Sequence, residues 1–497
     1  MDISAGKNLS RTWVISLGVL ALIGPAVYIY LASRFQAIGF PLDDAWIHQT
    51  YARNLVNRGE WAFLPGIHSA GSTSPLWTLL LTIPQLLARD VPYGLTYLLG
   101  SICLWGVACL GEMIFRRGTV NTQKYPYFGL MLVLEWHLVW AAVSGMETAL
   151  IAALVLSVFY FLQKGTEKGF MLAGLLTGIG IWIRPDAITL AGPLVWSIFL
   201  SSSTLRERME TSWRSLAAGA IPVAGYLMFN YLLSGQIWPN TFYAKQAEYA
   251  ELLKLSLLNR YFNLAALPLV GVGVFLLPGF VYQVVHSIRQ RSWFWSGTIL
   301  WWLGYTLVYA LRLPVAYQHG RYLIPAMPVF FLIGYSGALG WVHHWQHQSR
   351  TLWILQRVWQ VSTVLVLATF FISGGRSYAQ DVAIINTEMV ATAYWVAENT
   401  DREDLIAVHD IGAMGYFGQR NLVDLAGLVS PEVIPIIRNE DQLARLLNEK
   451  GASYLVIFPG WYAHLTDGKE IVYQTGAPFA PAAGGVNMAV YRCVKAK

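Results

Sequence analysis

The chain has 497 residues, 55% of them apolar and 12% charged, where a soluble protein carries about 25% charged residues. Such scarcity of charge, together with 21 tryptophans suited to anchoring at membrane–water boundaries, suits a membrane protein, but the average alone decides nothing and the length of uninterrupted apolar runs does. The net charge of +6 gives no reason to invoke nucleic acid, because most Lys and Arg of the first three quarters sit in short loops between apolar runs.

A membrane-spanning helix needs roughly 20 apolar residues. The first run follows Lys7 and Arg11 and carries no charge before Arg34. It is too long for a signal-peptide core and lacks a small-residue cleavage site, so it reads as a first span that is retained. Further runs lie near 93–115, 126–143, 148–163, 169–183, 187–204, 215–234, 264–286, 293–311, 323–345 and 356–373. With 12–34 these make about eleven spans. Segment 75–88 is apolar but short, with Pro75 and Pro84, and is expected to be interfacial or re-entrant. Cys103 and Cys109 share one expected helix and Cys493 is distant, which implies neither a disulfide framework nor a zinc cluster.

Basic residues set the orientation. Arg116, Arg117 and Lys124, then Lys164 and Lys168, then Arg206, Arg208 and Arg214, then Arg289 and Arg291, then Arg350 and Arg357 fall in alternate loops and read as cytoplasmic. The outward set is then 35–74, 144–147, 184–186, 236–260 and 312–321. An odd number of spans puts the chain beyond residue 376 on the outer face as well. There the texture changes, with charges returning and short apolar runs alternating with amphipathic ones. Leu405–Val408, Tyr454–Phe458 and Met488–Val494 read as strands, and 382–398 and Asp441–Glu449 as helices. The expected fold is mainly α, a polytopic bundle over 1–375 with first outward loop 35–74, and a small extracytoplasmic α/β domain over 376–497.

The chemistry gathers in the outward loops. Asp43 and Asp44 are adjacent carboxylates at the head of an expected helix. One Asp suffices for a helix cap. Two beside an apolar surface repel, and one of them can have a raised pKa suited to taking a proton. His48 follows one turn later, and Glu147 lies in the turn Ser144–Thr148. Arg184 and Asp186 flank Pro185 at a break between apolar runs, while Lys245 closes Trp238–Lys245 and His319, Arg321 and Tyr322 sit together. All lie on one side at similar depth, where ionisable groups are functional candidates. Acids facing several cations suit an anionic phosphate leaving group and a hydroxyl that must lose its proton.

The sequence resembles the GT-C superfamily of polytopic glycosyltransferases, and within it the actinobacterial terminal arabinofuranosyltransferase type and its bacterial relatives. The resemblance rests on Asp43-Asp44-Ala45 with Tyr51–Leu55, Thr73–Thr78, Gly145–Thr148, Arg184-Pro185-Asp186, Pro239–Lys245 and Gly320-Arg321-Tyr322. It continues in Asp410–Ala413 and Asp424–Leu428, and so spans nearly the whole chain. Ser72 and Ser74 depart from the aromatic residue and Asn more usual in that turn. The resemblance implies a polyprenyl-phosphate sugar donor, a glycan or other hydroxyl acceptor, and inverting transfer. It implies an acidic general base in the first outward loop, here Asp44 with Asp43 as close competitor. Arg184, Lys245 and Arg321 would bind the donor phosphate, with His48, Glu147, Asp186, His319 and Tyr322 around the substrate. No cofactor is required, although some relatives use a divalent cation at the acidic motif; no His/Cys ligand cluster is present. The alternative is a transporter or flippase for a lipid-linked or anionic substrate, which also needs Arg and Asp at membrane depth. No internal repeat supports it, and transport gives no reason for the diacid.

Overall fold

Ser10 accepts a hydrogen bond from the amide of Trp13 and starts the first helix, Arg11–Phe35. The computed structural model to which it belongs describes residues 9–88, 90–118, 123–201, 204–345 and 350–493. Lys7, Val494 and residues 202–203 of the run 187–204 lie outside them. Among the described residues, five helices are long and apolar enough to cross a membrane: Arg11–Phe35, Tyr93–Gly118, Leu205–Ser234, Gln318–Val342 and Arg350–Asn399. The pair Leu257–Leu269 and Gly273–Arg289, bent by 113°, makes a sixth if taken as one span. The protein is therefore a multi-pass membrane protein.

The described parts of the eleven expected runs are helical, but several are short or broken. Segment 126–143 divides into Tyr127–Leu134 and Trp136–Ala142. Glu135 between them is extended (φ −68°, ψ 124°), and its carboxylate accepts from the amide of Leu138, capping the second helix. Helix Pro75–Leu87 has 13 residues, about 20 Å at 1.5 Å per residue, which falls short of a ~30 Å bilayer core. Small residues bring helices together elsewhere. A Cβ on Gly279 would stand 2.1 Å from the carbonyl of Gly334, so helices Gly273–Arg289 and Met327–Trp345 touch backbone to backbone.

The basic loops gather at one end of the bundle. Arg117 and Lys164 both lie over the Tyr160 ring, at 4.6 and 4.8 Å, and Arg214 meets Glu167 at 2.5 Å. The first loop folds inward at the opposite end, with Phe40 and Trp46 fully buried, and carries a small hairpin of β1 (Ala62–Leu64) and β2 (Ile67–His68).

The chain beyond the bundle does not begin with a break. The long helix passes residue 376 unbroken and ends at Asn399, although the composition changes there. A five-stranded sheet follows: β3 (Leu405–Val408), β4 (Asn421–Asp424), β5 (Tyr454–Ile457), β6 (Ile471–Gln474) and β7 (Ala489–Arg492). The order is β4-β3-β5-β7-β6, with β3 parallel to β4 and β5, and β7 antiparallel to β5 and β6. Strands β4 and β6 escape sequence reading, because Asn421-Leu422-Val423-Asp424 holds only two apolar residues and β6 is a mostly exposed edge. Helix Glu440–Lys450, capped by Asn439, lies within one residue of expectation at each end.

Candidate active site

Asp44 opens the helix Asp44–Arg58, and its Oδ2 is gripped by two cations: Arg321 Nη2 at 2.7 Å and Lys245 Nζ at 3.1 Å. Lys245 comes from helix Asn240–Glu248, and Arg321 follows the turn Gln318–Gly320. Both cations also donate to the Tyr322 hydroxyl, each at 3.0 Å. Arg184 lies 5.6 Å from the centre of the same ring. Tyr322 thus stands amid three cations.

Arg184 itself is already committed. Its Nη2 is 3.1 Å from Asp186 Oδ2 and donates to the Tyr309 hydroxyl at 2.6 Å, while Glu147 lies 4.0 Å from Nε. Tyr305 and Tyr309 both donate to Asp186 Oδ2. Neither tyrosine was singled out in sequence; the signal was two hydroxyls at i and i+4 inside an uncharged run. His48 is bonded through Nδ1 to Ser72 (3.1 Å) and Thr78 (3.2 Å), with Nε2 3.7 Å from Glu147.

These side chains line a cavity of about 350 Å³ that contains Asp44, His48, Glu147, Arg184, Asp186, Lys245, Arg321 and Tyr322. Apolar residues complete it, among them Ile188, Trp238, Phe242, Val308 and Leu313. A second cavity of about 700 Å³ lies between the bundle and the C-terminal sheet, lined by Asp43, Glu248, His409, Asp410 and Trp461 among others. Asp44, Lys245 and Arg321 line both. The ion triad is the wall between them.

The two adjacent acids have opposite surroundings. Burial raises the Asp44 carboxyl, but Lys245 and Arg321 outweigh it and hold the group well below the usual carboxylate range. Asp43 makes no cap bond to its own helix. Its two oxygens accept instead from the amides of Gly412 (2.6 Å) and Ala413 (2.8 Å), tying the first loop to the segment after β3. Burial first, and the charge of Asp410 second, push its pKa up against those two amides. The donor set does not fit a metal ion. Asp44 is taken by two cations and Asp43 by two amides, and no group of three His, Cys, Asp or Glu among the described residues could hold one.

His319 lines neither cavity. Gln318, His319 and Gly320 have φ of 54°, 57° and 67°, and this left-handed turn aims the imidazole at the long helix. His319 Nε2 meets Asp381 Oδ2 at 2.8 Å, and Trp140 donates to the same oxygen at 3.0 Å. Asp381, which the sequence did not single out, thereby secures the turn that presents Arg321. Asp381→Ala leaves two donors without their acceptor, and a loss of about 1–3 kcal/mol is expected. Thermal unfolding of the purified protein measures it, and an unchanged midpoint would exclude the role.

A family profile described as "Domain of unknown function (DUF8728)" matches residues 377–491. No characterised protein matches by sequence. Solved structures do match over nearly the whole length. ArnT from Cupriavidus metallidurans, bound to undecaprenyl phosphate, superposes with a TM-score of 0.61 at 12% identity, covering 97% of this chain and 98% of that one. The Archaeoglobus fulgidus oligosaccharyltransferase, tethered to an acceptor peptide, gives 0.62 at 9% identity over 98% and 74%. The Archaeoglobus fulgidus AglB complex with an inhibitory peptide and a dolichol-phosphate gives 0.56 at 10% identity over 90% and 69%. The chain has the fold of the GT-C glycosyltransferases. At these identities the likeness is one of fold.

Proposed function

We propose that the protein is an inverting glycosyltransferase that moves a sugar from a polyprenyl-phosphate donor to an acceptor hydroxyl at the outer face of the membrane. The observation that carries this reading is the position of Asp44, in the wall between two cavities and held by two cations. The smaller cavity pairs cations with an apolar lining, which suits a phosphate joined to a prenyl chain. The larger one, roofed by residues of the C-terminal sheet, admits the acceptor. The neighbours of this fold solved in complex with undecaprenyl phosphate or dolichol-phosphate point to the same donor class.

The mechanism follows from the ion triad. An arriving phosphate competes with Asp44 for Lys245 and Arg321 and draws them away. The freed carboxylate loses the charges that suppress its basicity and takes the proton of the acceptor hydroxyl. The hydroxyl oxygen forms the new bond to the anomeric carbon from the face opposite the phosphate. The bond from that carbon to the phosphate oxygen breaks, and its electron pair leaves with the prenyl phosphate, stabilised by the two cations and the Tyr322 hydroxyl. One displacement inverts the anomeric centre. Incubation with a panel of prenyl-phosphate sugars should release prenyl phosphate from at least one. Release that persists in the Lys245→Ala/Arg321→Ala double variant would sink the assignment.

The basic end of the bundle is assigned to the cytoplasm and the cavities to the outside. In a variant free of native cysteines, Gly165→Cys and Asp467→Cys should label from opposite faces. Labelling of both from the same face overturns the topology.

A further inference from the structure

The C-terminal sheet contains a crevice of its own. The chain leaves β3 for β4 on one side and leaves β5 for β6 on the other, so the connections from these two neighbouring parallel strands run in opposite directions. In open α/β sheets such a switch point opens a gap at the carboxyl ends of the strands, and ligands bind there. His409 and Asp410 follow β3 directly, and Trp461 and Tyr462 lie just beyond β5. All four line the 700 Å³ cavity. His409 Nδ1 and the Tyr462 hydroxyl are 2.9 Å apart and bridge the two loops. The imidazole stands edge-on to the Trp461 ring, centroids 5.0 Å apart at 87°. From the bundle side Glu248 Oε1 approaches His409 Nε2 at 3.6 Å.

Two features point to a ligand. Trp461 is 51% exposed although it lines a cavity, so a flat apolar face is on offer. The Oδ2 atom of Asp410 is buried without a hydrogen-bond partner among the described residues. A buried carboxylate oxygen is costly to leave unmatched, and a ligand donor would satisfy it. An aromatic face beside carboxylate acceptors matches a sugar ring, which presents C–H groups on its faces and hydroxyl donors at its edge.

We infer that this crevice seats the acceptor, and that the acceptor is a neutral or amine-bearing saccharide rather than an anionic one. The inference rests on the transferase reading above and specifies its second substrate. Charge decides the class. Asp43, Glu248, Asp410 and Glu440 line the space. Lys245 and Arg321 are committed to Asp44 or to the donor phosphate, and Arg438 is paired with Glu251. A uronate or phosphate on the acceptor would therefore face carboxylates whose partners are already engaged, in a partly enclosed space where repulsion is weakly screened. A hydroxyl or ammonium donates to the same oxygens.

The test uses the full chain in detergent, with maltotriose, a glucosamine trimer, a galacturonic acid trimer and prenyl phosphate as probes, each titrated by calorimetry. Maltotriose and the glucosamine trimer should bind, with the uronate trimer at least about tenfold weaker. Trp461→Ala should weaken the first two about tenfold, Trp461→Phe should restore most of the loss, and neither should shift prenyl phosphate more than about twofold. Uronate binding as tight as maltotriose, an unaffected Trp461→Ala variant, or no trimer binding to protein that does bind prenyl phosphate each overturns the inference alone. Failure to bind prenyl phosphate strikes the transferase reading itself, and the acceptor assignment with it.

Discussion

Asp44→Asn is expected to lower turnover by at least about 100-fold, the lower bound of what a general base contributes. Asn matches the size of Asp and serves nearly as well at a helix start, so the fold should hold. The amide cannot take the acceptor's proton. It also stops neutralising Lys245 and Arg321, which lie 3.1 and 2.7 Å away, so prenyl phosphate should bind as tightly as before or more tightly. Loss of turnover with undiminished donor affinity separates a base from a merely structural acid. Asp43→Asn should behave differently. Asp43 accepts from two backbone amides at once, and Asn can accept from only one while presenting its own N–H to the other. That mismatch costs about 1–3 kcal/mol and loosens the contact between first loop and roof, so thermal stability should fall together with activity. Near-normal turnover in both variants would return the diacid to a structural role. Loss of turnover at Asp43 alone, with unchanged stability, would move the base by one residue.

The difference between these neighbours shows where the sequence stops being informative. Alternating basic loops and uncharged runs place Asp44, Arg184, Lys245 and Arg321 on one side at one depth, and these residues do line one cavity. Asp44, Arg184 and Lys245 are each marked by a local signal: the diacid after a span, a proline break, a basic residue closing an aromatic segment. What fixes Asp43 is not local, because its partners lie 369 and 370 residues further along. His319 stands apart from both cavities for a backbone reason. Two non-glycine residues in left-handed conformation turn it away from the cavities, and nothing in Gln318-His319-Gly320 except the glycine announces it. Glu135 breaks an apolar run that reads as one span, since hydropathy does not register a single carboxylate that caps the following turn. The crevice between β3 and β5 was hidden for a third reason. It depends on strand order, and β4, which defines that order, has too few apolar residues to be seen.

Arg321→Ala is expected to weaken prenyl phosphate binding by about 10- to 100-fold, while Arg184→Lys changes it far less. A charge-assisted hydrogen bond contributes about 1.5–3 kcal/mol, and each 1.4 kcal/mol is a factor of ten. Arg321 touches Asp44 and the Tyr322 hydroxyl, and both of its cavities open beside it. Its guanidinium can turn from the Asp44 carboxylate to a phosphate and form two parallel bonds there, which an ammonium cannot do. Arg184 is anchored through Nη2 to Asp186 and Tyr309, so that edge of its guanidinium is spent on the protein and it acts on the phosphate chiefly through its charge. Lys keeps that charge. Its cost should appear mainly as a lower unfolding temperature, because the Asp186 carboxylate and the Tyr309 hydroxyl lose a fitted partner. Titration of prenyl phosphate into the two variants separates the roles. Unchanged affinity in Arg321→Ala removes that residue from the donor site, and a larger loss in Arg184→Lys makes Arg184 the principal phosphate ligand.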